Sequence, residues 1–496
     1  MADSYRLDRL LCVGAAQVPL RVREGDQGWD ELVREIAGLA ADRYVLLTDG
    51  VVPEQLAARL PAGQRLRVPG VVSLQTVQRL AERVAAEGVG RRTVLIAVGG
   101  EGLCGTAGVL AGLLLRGLRL VLVPTTLAAL GGSALSLRQR LPCGPDLGAA
   151  IGVWHAPALV WGQLDLLAAA PPDRLRADLV TVARHVLAVC PSQLDRIAPV
   201  LGPTIGAVLG SALGPTADPA LGPTLGPTVG PAELTASVAI CADARAAVAE
   251  HDPQEVGPAR ALEYGRVLGQ AIVSVAGEGS AWSRTDGRGR LPAQADGPGL
   301  SSGAHGAPGG SPGRAGDPGL SSGALGGIGR PSGRAGGHGL LPGYADGLGL
   351  LLAARIAGVL GLLDPAGERA HRDLLRRIGA PVALPPGIDL AALLEAVGRA
   401  MAATGEPGLL LLAGLGRPHV AEGSLLTRIG PDTLRSALDS LHTTPTSERR
   451  STTLAPASAS ATGGAAPASA PGPASAPVPA PAPSPVVPAA RAVSEA

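Results

Sequence analysis

The chain has 496 residues, a net charge of +1 from 42 basic and 41 acidic side chains, and a mean hydropathy of +0.27. So even a balance leaves no electrostatic footprint for nucleic acid or an anionic membrane surface, and neither is expected as a partner. The five cysteines (Cys12, Cys104, Cys143, Cys190 and Cys241) are scattered, odd in number and form no CxxC pair, which argues against a disulfide framework and for a reducing, cytoplasmic setting.

The N-terminal stretch "MADSYRLDRLLCVGAAQ" mixes charges into its apolar residues and lacks the apolar core of a signal peptide. Residues 43–49, "RYVLLTD", read as a short buried strand ending in Asp49, and residues 74–87 have helical spacing. "TVLIAVGGEGLCGTAGVLAGLLLRG" then runs strand, glycine turn and helix, and "LRLVLVPTT" is the next strand. Strands alternating with helices predict a parallel α/β layer, a nucleotide-binding domain over residues 1–160. Segments 173–195, 232–250, 259–276, 347–363 and 388–404 carry helical spacing, so residues 161–443 are predicted to be mainly α-helical. The longest apolar runs, "VLAGLLL" and "GLLLLAGLG", fall far short of the roughly 20 residues a membrane span needs.

Two low-complexity inserts interrupt the helical half. Residues 202–231 repeat "GPT" four times, and residues 277–340 are rich in Gly, Ser and Pro. Neither offers enough apolar surface to offset chain entropy, so both are expected to be loops or disordered, as is the Pro/Ala/Ser-rich tail 444–496. The chain contains no Lys, Asn or Phe. All three use AT-rich codons, which points to a GC-rich genome, and every task given elsewhere to lysine falls here to arginine.

The glycine turn "AVGGEGLCGTAG" at 97–108 follows a strand and opens a helix, an arrangement that lets a backbone approach phosphate. After it come Arg116–Gly117 and "VPTTLAALGGS" at 123–133, with Thr48–Asp49 upstream. In the same order follow "IGVWHAP" at 151–157, "PPDRLRADLVTVARHVL" at 171–187, "DPQE" at 252–255, "ALEYGRVLGQAI" at 261–272 and "GLGLLLAARIAGVLGLLD" at 347–364. This succession resembles the 3-dehydroquinate synthase family and its sugar-phosphate cyclase relatives, over roughly residues 40 to 420 apart from the inserts.

The resemblance implies that family's fold, an α/β nucleotide-binding domain and a mainly helical C-terminal domain with the site between them. It also implies an NAD-dependent carbon–oxygen lyase that cyclises a small phosphorylated sugar-acid with the help of a divalent metal, zinc or cobalt. A role in the shikimate pathway of aromatic amino acid biosynthesis and a homodimeric assembly follow from the same resemblance. Carried over position by position, the cofactor side falls on Asp49, Gly99, Gly100, Gly105, Thr106, Thr125 and Thr126. The substrate-binding cations fall on Arg138, Arg184, Arg245 and Arg260.

Several positions depart from the pattern. The family's three metal ligands, a Glu and two His, fall on Thr181, Arg266 and Pro342, and zinc takes none of these. A second family histidine, able to move a proton, is Gln270, and two lysines become Ala400 and Met401. The Asp that closes the glycine turn is Thr106, and a GKN segment becomes Gly148 and Ala149. The expected reading is a degenerate member that lacks the metal site, with no catalytic residue assigned. An active, divergent 3-dehydroquinate synthase or secondary-metabolite sugar-phosphate cyclase and a non-catalytic partner of an intact synthase stay open beside it.

Overall fold

A computed structural model describes residues 5–50, 56, 59, 60, 63–68, 73–141, 151–200, 229–279, 340–385, 387–402 and 407–442, of which 64, 198–200 and 277–279 are described by their backbone alone. These residues belong to one compact unit. The two inserts, save their edges, and the tail lie outside them, as do Gly148 and Ala149.

The first half is built on a seven-stranded sheet. Its strands are β1 (Leu7–Val13), β2 (Ala16–Arg23), β3 (Tyr44–Thr48), β4 (Gln64–Arg67), β5 (Val94–Gly99), β6 (Arg119–Pro124) and, after a separate hairpin of β7 (Arg138–Leu141) and β8 (Ile151–Trp154), β9 (Leu159–Gln163). The order across the sheet is β1-β2-β9-β6-β5-β3-β4, parallel except for the antiparallel pair β1 and β2. Helices α1 (Gly25–Gly38), α2 (Leu74–Ala86) and α3 (Glu101–Leu113) cover it. A sheet so covered buries both faces. Every residue of β5 is buried, with Ile96 and Val98 on the side of Trp29, Leu32 and Ile36, and Leu95 and Ala97 on the side of Leu103 and Leu110.

Short helices α4 (Leu127–Gly131) and α5 (Leu164–Ala168) follow β6 and β9, and the second half is mainly helical: α6 (Pro172–Ala188), α7 (Leu194–Val200), α8 (Pro231–Ala249), α9 (Arg266–Gly279), α10 (Pro342–Val359), α11 (Pro365–Ile378), α12 (Leu390–Ala402) and α13 (Pro431–His442). Helix α10 is buried nearly all round, as a central helix must be when its sequence is apolar on every face, and α6 is buried from Ala177 to Ala188 although it carries Asp178, Arg184 and His185 there. The predicted helix over 173–195 ends at Ala188, because Pro191 opens a separate 3-10 turn. The predicted helix over 259–276 is two pieces, a 3-10 turn over Pro258–Glu263 and then α9, split at Gly265 where φ is +74°. An N-terminal α/β domain followed by a mainly helical domain is thus the observed architecture. Among the described residues no helix is long and apolar enough to cross a membrane.

Candidate functional site

Three of the expected cofactor segments end side by side. Thr48 pairs with Val98, and Gly99 pairs with Pro124, so Asp49, Gly99–Gly100 and Thr125–Thr126 leave the sheet at one edge, the carboxyl ends of adjacent parallel strands. Open parallel sheets take their ligands in that crevice. Asp49 Oδ2 accepts the Gly100 N–H at 2.9 Å, and a Cβ on Gly99 would lie 2.6 Å from both carboxylate oxygens, so only glycine lets Asp49 close on the turn. Thr125 N–H donates to the Gly99 carbonyl at 3.0 Å. Thr126 Oγ1 caps α4 by accepting the Ala129 N–H at 3.2 Å. Thr106 is fully buried and its hydroxyl donates to the Gly102 carbonyl within α3 at 2.7 Å. Gly105 serves packing: a Cβ there would sit 2.4 Å from the Arg140 carbonyl of β7. The N-cap of α3, Gly100, has no side chain to offer, so it makes no side-chain cap on the first-turn N–H groups of α3.

The arginines lie on the hairpin and on the helices that face it. Arg245 in α8 is buried and donates to Glu255, whose Oε1 also accepts the Ser136 hydroxyl at 2.5 Å. Arg138 faces the same carboxylate, its Nε 3.6 Å from Glu255 Oε2 and beyond hydrogen-bonding reach. Nε of Arg138, Nε of Arg245 and the Ser133 hydroxyl are buried without a hydrogen-bond partner. Burial, then the neighbouring Arg140 charge, lowers the Arg138 pKa. Arg184 in α6 is buried, donates through Nε to the Tyr264 carbonyl at 3.0 Å and pairs with Asp346 of α10. Arg260 is half-buried in the 3-10 turn that precedes α9.

The three family ligand positions fall on helices packed against one another. A Cβ on Gly343, next to Pro342, would meet the Ala177 carbonyl at 2.2 Å, one turn of α6 before Thr181. A Cβ on Gly269, one turn after Arg266, would meet Asp346 Oδ1 at 2.4 Å. What those positions carry does not fit a metal. Thr181 is buried, and Pro342 opens α10 with no side-chain donor. Arg266 donates to Glu101 and lies 3.6 Å from Glu263, which also takes a two-pronged bond from Arg140 at 3.0 and 2.9 Å. Burial alone would raise the Glu263 carboxyl; the charges of Arg140 and then Arg266 outweigh it and hold it well below the usual range. Glu101 follows the same balance, lowered chiefly by Arg266 against its partial desolvation. Among the described residues no group of three or more His, Cys, Asp or Glu could hold a metal ion.

Arg140, Glu101, Glu263, Asp346, Ser136 and Glu255 were not among the residues singled out from the sequence. A signal existed for two of them. Arg138 and Arg140 stand two apart on a strand and share a face, and Glu263 stands three before Arg266.

A family profile described as 3-dehydroquinate synthase N-terminal matches residues 69–177. Over that segment the chain is similar to the superfamily of 3-dehydroquinate synthases and sugar-phosphate cyclases. Within it, the chain is similar to 2-deoxy-scyllo-inosose synthases. With that of Streptoalloteichus tenebrarius it is 31% identical over 280 residues, 53% of this chain and 64% of the relative. With that of Micromonospora echinospora it is 26% identical over 435 residues, 84% of this chain and 88% of the relative. The chain thus spans less than two thirds of the Streptoalloteichus protein in that alignment. Among solved structures, a 2-deoxy-scyllo-inosose synthase complexed with carbaglucose-6-phosphate, NAD+ and Co2+ superposes with a TM-score of 0.62 at 22% identity, covering 87% of this chain and 99% of that one. A 2-epi-5-epi-valiolone synthase from Streptomyces hygroscopicus with NAD+ and Zn2+ bound gives 0.58 at 17% identity, covering 87% and 99%. The shared fold is what these two likenesses establish. The expected place in the shikimate pathway and aromatic amino acid biosynthesis is corrected by these relatives, which are secondary-metabolite cyclases.

Proposed function

We propose that this cleft binds a small phosphorylated polyol together with NAD, as a divergent secondary-metabolite sugar-phosphate cyclase that works without a divalent metal. The observation that carries the reading is a cluster of buried, unpaired donors: Nε of Arg138 and Nε of Arg245 are desolvated with no hydrogen-bond partner, and the Ser133 hydroxyl is likewise unpartnered. A buried N–H left unpaired costs about 1–3 kcal/mol, and a phosphate or carboxylate oxygen is the acceptor that recovers it. Arginine binds such groups with a planar fork, which suits a chain that contains no lysine.

NAD would lie across Asp49, Gly99, Gly100, Thr125 and Thr126, with its phosphates toward the first turn of α3 and Thr106 and Gly105 fixing that helix behind them. Bound there, it supplies a hydride acceptor and donor for one ring carbon. Gln270 stands where the family has a proton-moving histidine and cannot titrate, so no proton transfer is assigned to it. The relatives' names favour a six-carbon phosphorylated ring over a seven-carbon acid as ligand.

The test is calorimetry with glucose 6-phosphate, with and without NAD, in the presence of a chelator. Saturable binding that Arg245→Met weakens at least tenfold is the expected outcome. Absence of binding at millimolar sugar phosphate, or binding that appears only with added zinc or cobalt, refutes the reading.

A further inference from the structure

Arg266 opens α9 with its side chain four-fifths shielded from solvent. It reaches from the helical half to Glu101, at the first turn of α3 in the α/β half, and it also faces Glu263 at 3.6 Å. Arg140 comes back from the hairpin β7–β8 to the far side of Glu263. Glu101, Arg266, Glu263 and Arg140 therefore form a row of alternating charge that passes between the halves of the molecule at both ends. Two carboxylates and two guanidiniums make it neutral, with no need of an external ion. A planar fork against carboxylates is the geometry in which such pairs are strongest.

We propose that Arg266 is the resident cation of this cleft: its guanidinium, covalently part of α9, supplies the positive charge that gathers Glu101 and Glu263 and clasps the two halves. The proposal deepens the metal-free reading given above and rests on it. The position where the resemblance implies a metal-binding histidine is occupied here by the charge itself. A dication added beside it would meet like charge at contact range, and it would find Glu101 and Glu263 already engaged.

The inference is tested on the full chain, by melting temperature, with no phosphorylated ligand or NAD present, so that its failure and the failure of the ligand assignment are separable. The wild-type melting temperature should not change with a chelator or with equimolar zinc or cobalt. Arg266→Ala should melt roughly 2–5 °C lower, because Glu101 is left without its cation and Glu263 with only one. Ten-millimolar guanidinium chloride (far below denaturing strength) should restore about half of that loss, while equal urea restores none. If Arg266→Ala does not accumulate as folded protein, Arg266→Met combined with Glu101→Gln gives the second reading. The pair should be more stable than Arg266→Met alone, since the acid and its counter-charge leave together. Stabilisation of the wild type by zinc or cobalt, an Arg266→Ala protein as stable as wild type, or a double variant no better than the single one overturns the proposal.

Discussion

Helices α9 and α10 touch backbone to backbone, and Gly349→Ala tests how much of the cleft depends on it. A Cβ at 349 would lie 2.2 Å from the Gly265 carbonyl oxygen and 2.6 Å from the Gly269 N–H nitrogen, against 3.4–4 Å for ordinary contact. The obstacles are main-chain atoms of the partner helix, which cannot swing aside as a side chain does, so α9 and α10 must separate by roughly an ångström. Overpacking of this kind costs about 3 kcal/mol at the upper end of its range, and alanine returns about 1 kcal/mol of helix propensity, leaving a net loss of about 2 kcal/mol. Arg266 rides on α9 and Asp346 on α10, so the same displacement should weaken ligand binding. Gly398→Ala is the control, because nothing lies within 4 Å of a Cβ there in α12. Urea unfolding followed by circular dichroism should show a lower midpoint for Gly349→Ala and an unchanged or higher one for Gly398→Ala. A Gly349→Ala protein that unfolds like the control refutes the packing argument.

Arg245→Ala should destabilise the protein by about 3–5 kcal/mol, since it leaves the 3% exposed Glu255 carboxylate without its main counter-charge; Arg245→Ala with Glu255→Gln should recover much of that in the same urea assay. His371 is held neutral, its pKa pushed down to about 4 by burial, with Nδ1 donating to the Gly367 carbonyl at 2.7 Å and Nε2 facing the Tyr264 hydroxyl at 3.2 Å. Its folded pKa lies below the unfolded value of 6.5, so the stability it holds is complete above pH 6.5 and is lost as pH falls toward 4, by up to about 3 kcal/mol. Urea midpoints measured from pH 7 to pH 4.5 should fall less steeply in His371→Gln, and parallel slopes would count against the assignment. The triple change Thr181→Glu, Arg266→His and Pro342→His should create zinc binding measurable by calorimetry; a triple variant that binds no zinc would show that Pro342 is not the position the alignment gives it.

The parallel strands were readable from residues because each is a short apolar run closed by a turn: "YVLLT" and "VLIAVG" coincide with β3 and β5. The hairpin of β1 and β2 is hard to read from residues although Val18, Leu20 and Val22 alternate inward, because Pro19 and Arg21 between them weaken the pattern. Helix α11, by contrast, is legible from its ends, with Asp364 as its cap and Gly379 at φ +80° just past its end. The positions that converge on the cleft could be placed only by resemblance. Charge partners such as Arg140 with Glu263 are 123 residues apart, and no local spacing announces a pair made by tertiary packing. Residue chemistry alone, in contrast, excludes Thr181, Arg266 and Pro342 as zinc ligands.

The order of the sheet has a consequence for how the chain comes to be folded. Strand β2 pairs on one side with β1, its immediate neighbour, and on the other with β9, where Leu20 meets Val160. A ribosome that has released the first hairpin has still to make most of the α/β half before β9 exists, which at about 5–20 residues per second leaves the hairpin's inner edge unsatisfied for on the order of ten seconds. Closure of that edge is a long-range event of the kind that slows folding, and until it happens the strand can pair with another chain. The polar and charged residues Gln17, Arg21 and Arg23 within β2, together with Pro19, which has no N–H to donate, make that strand a poor template for a stray partner during the wait.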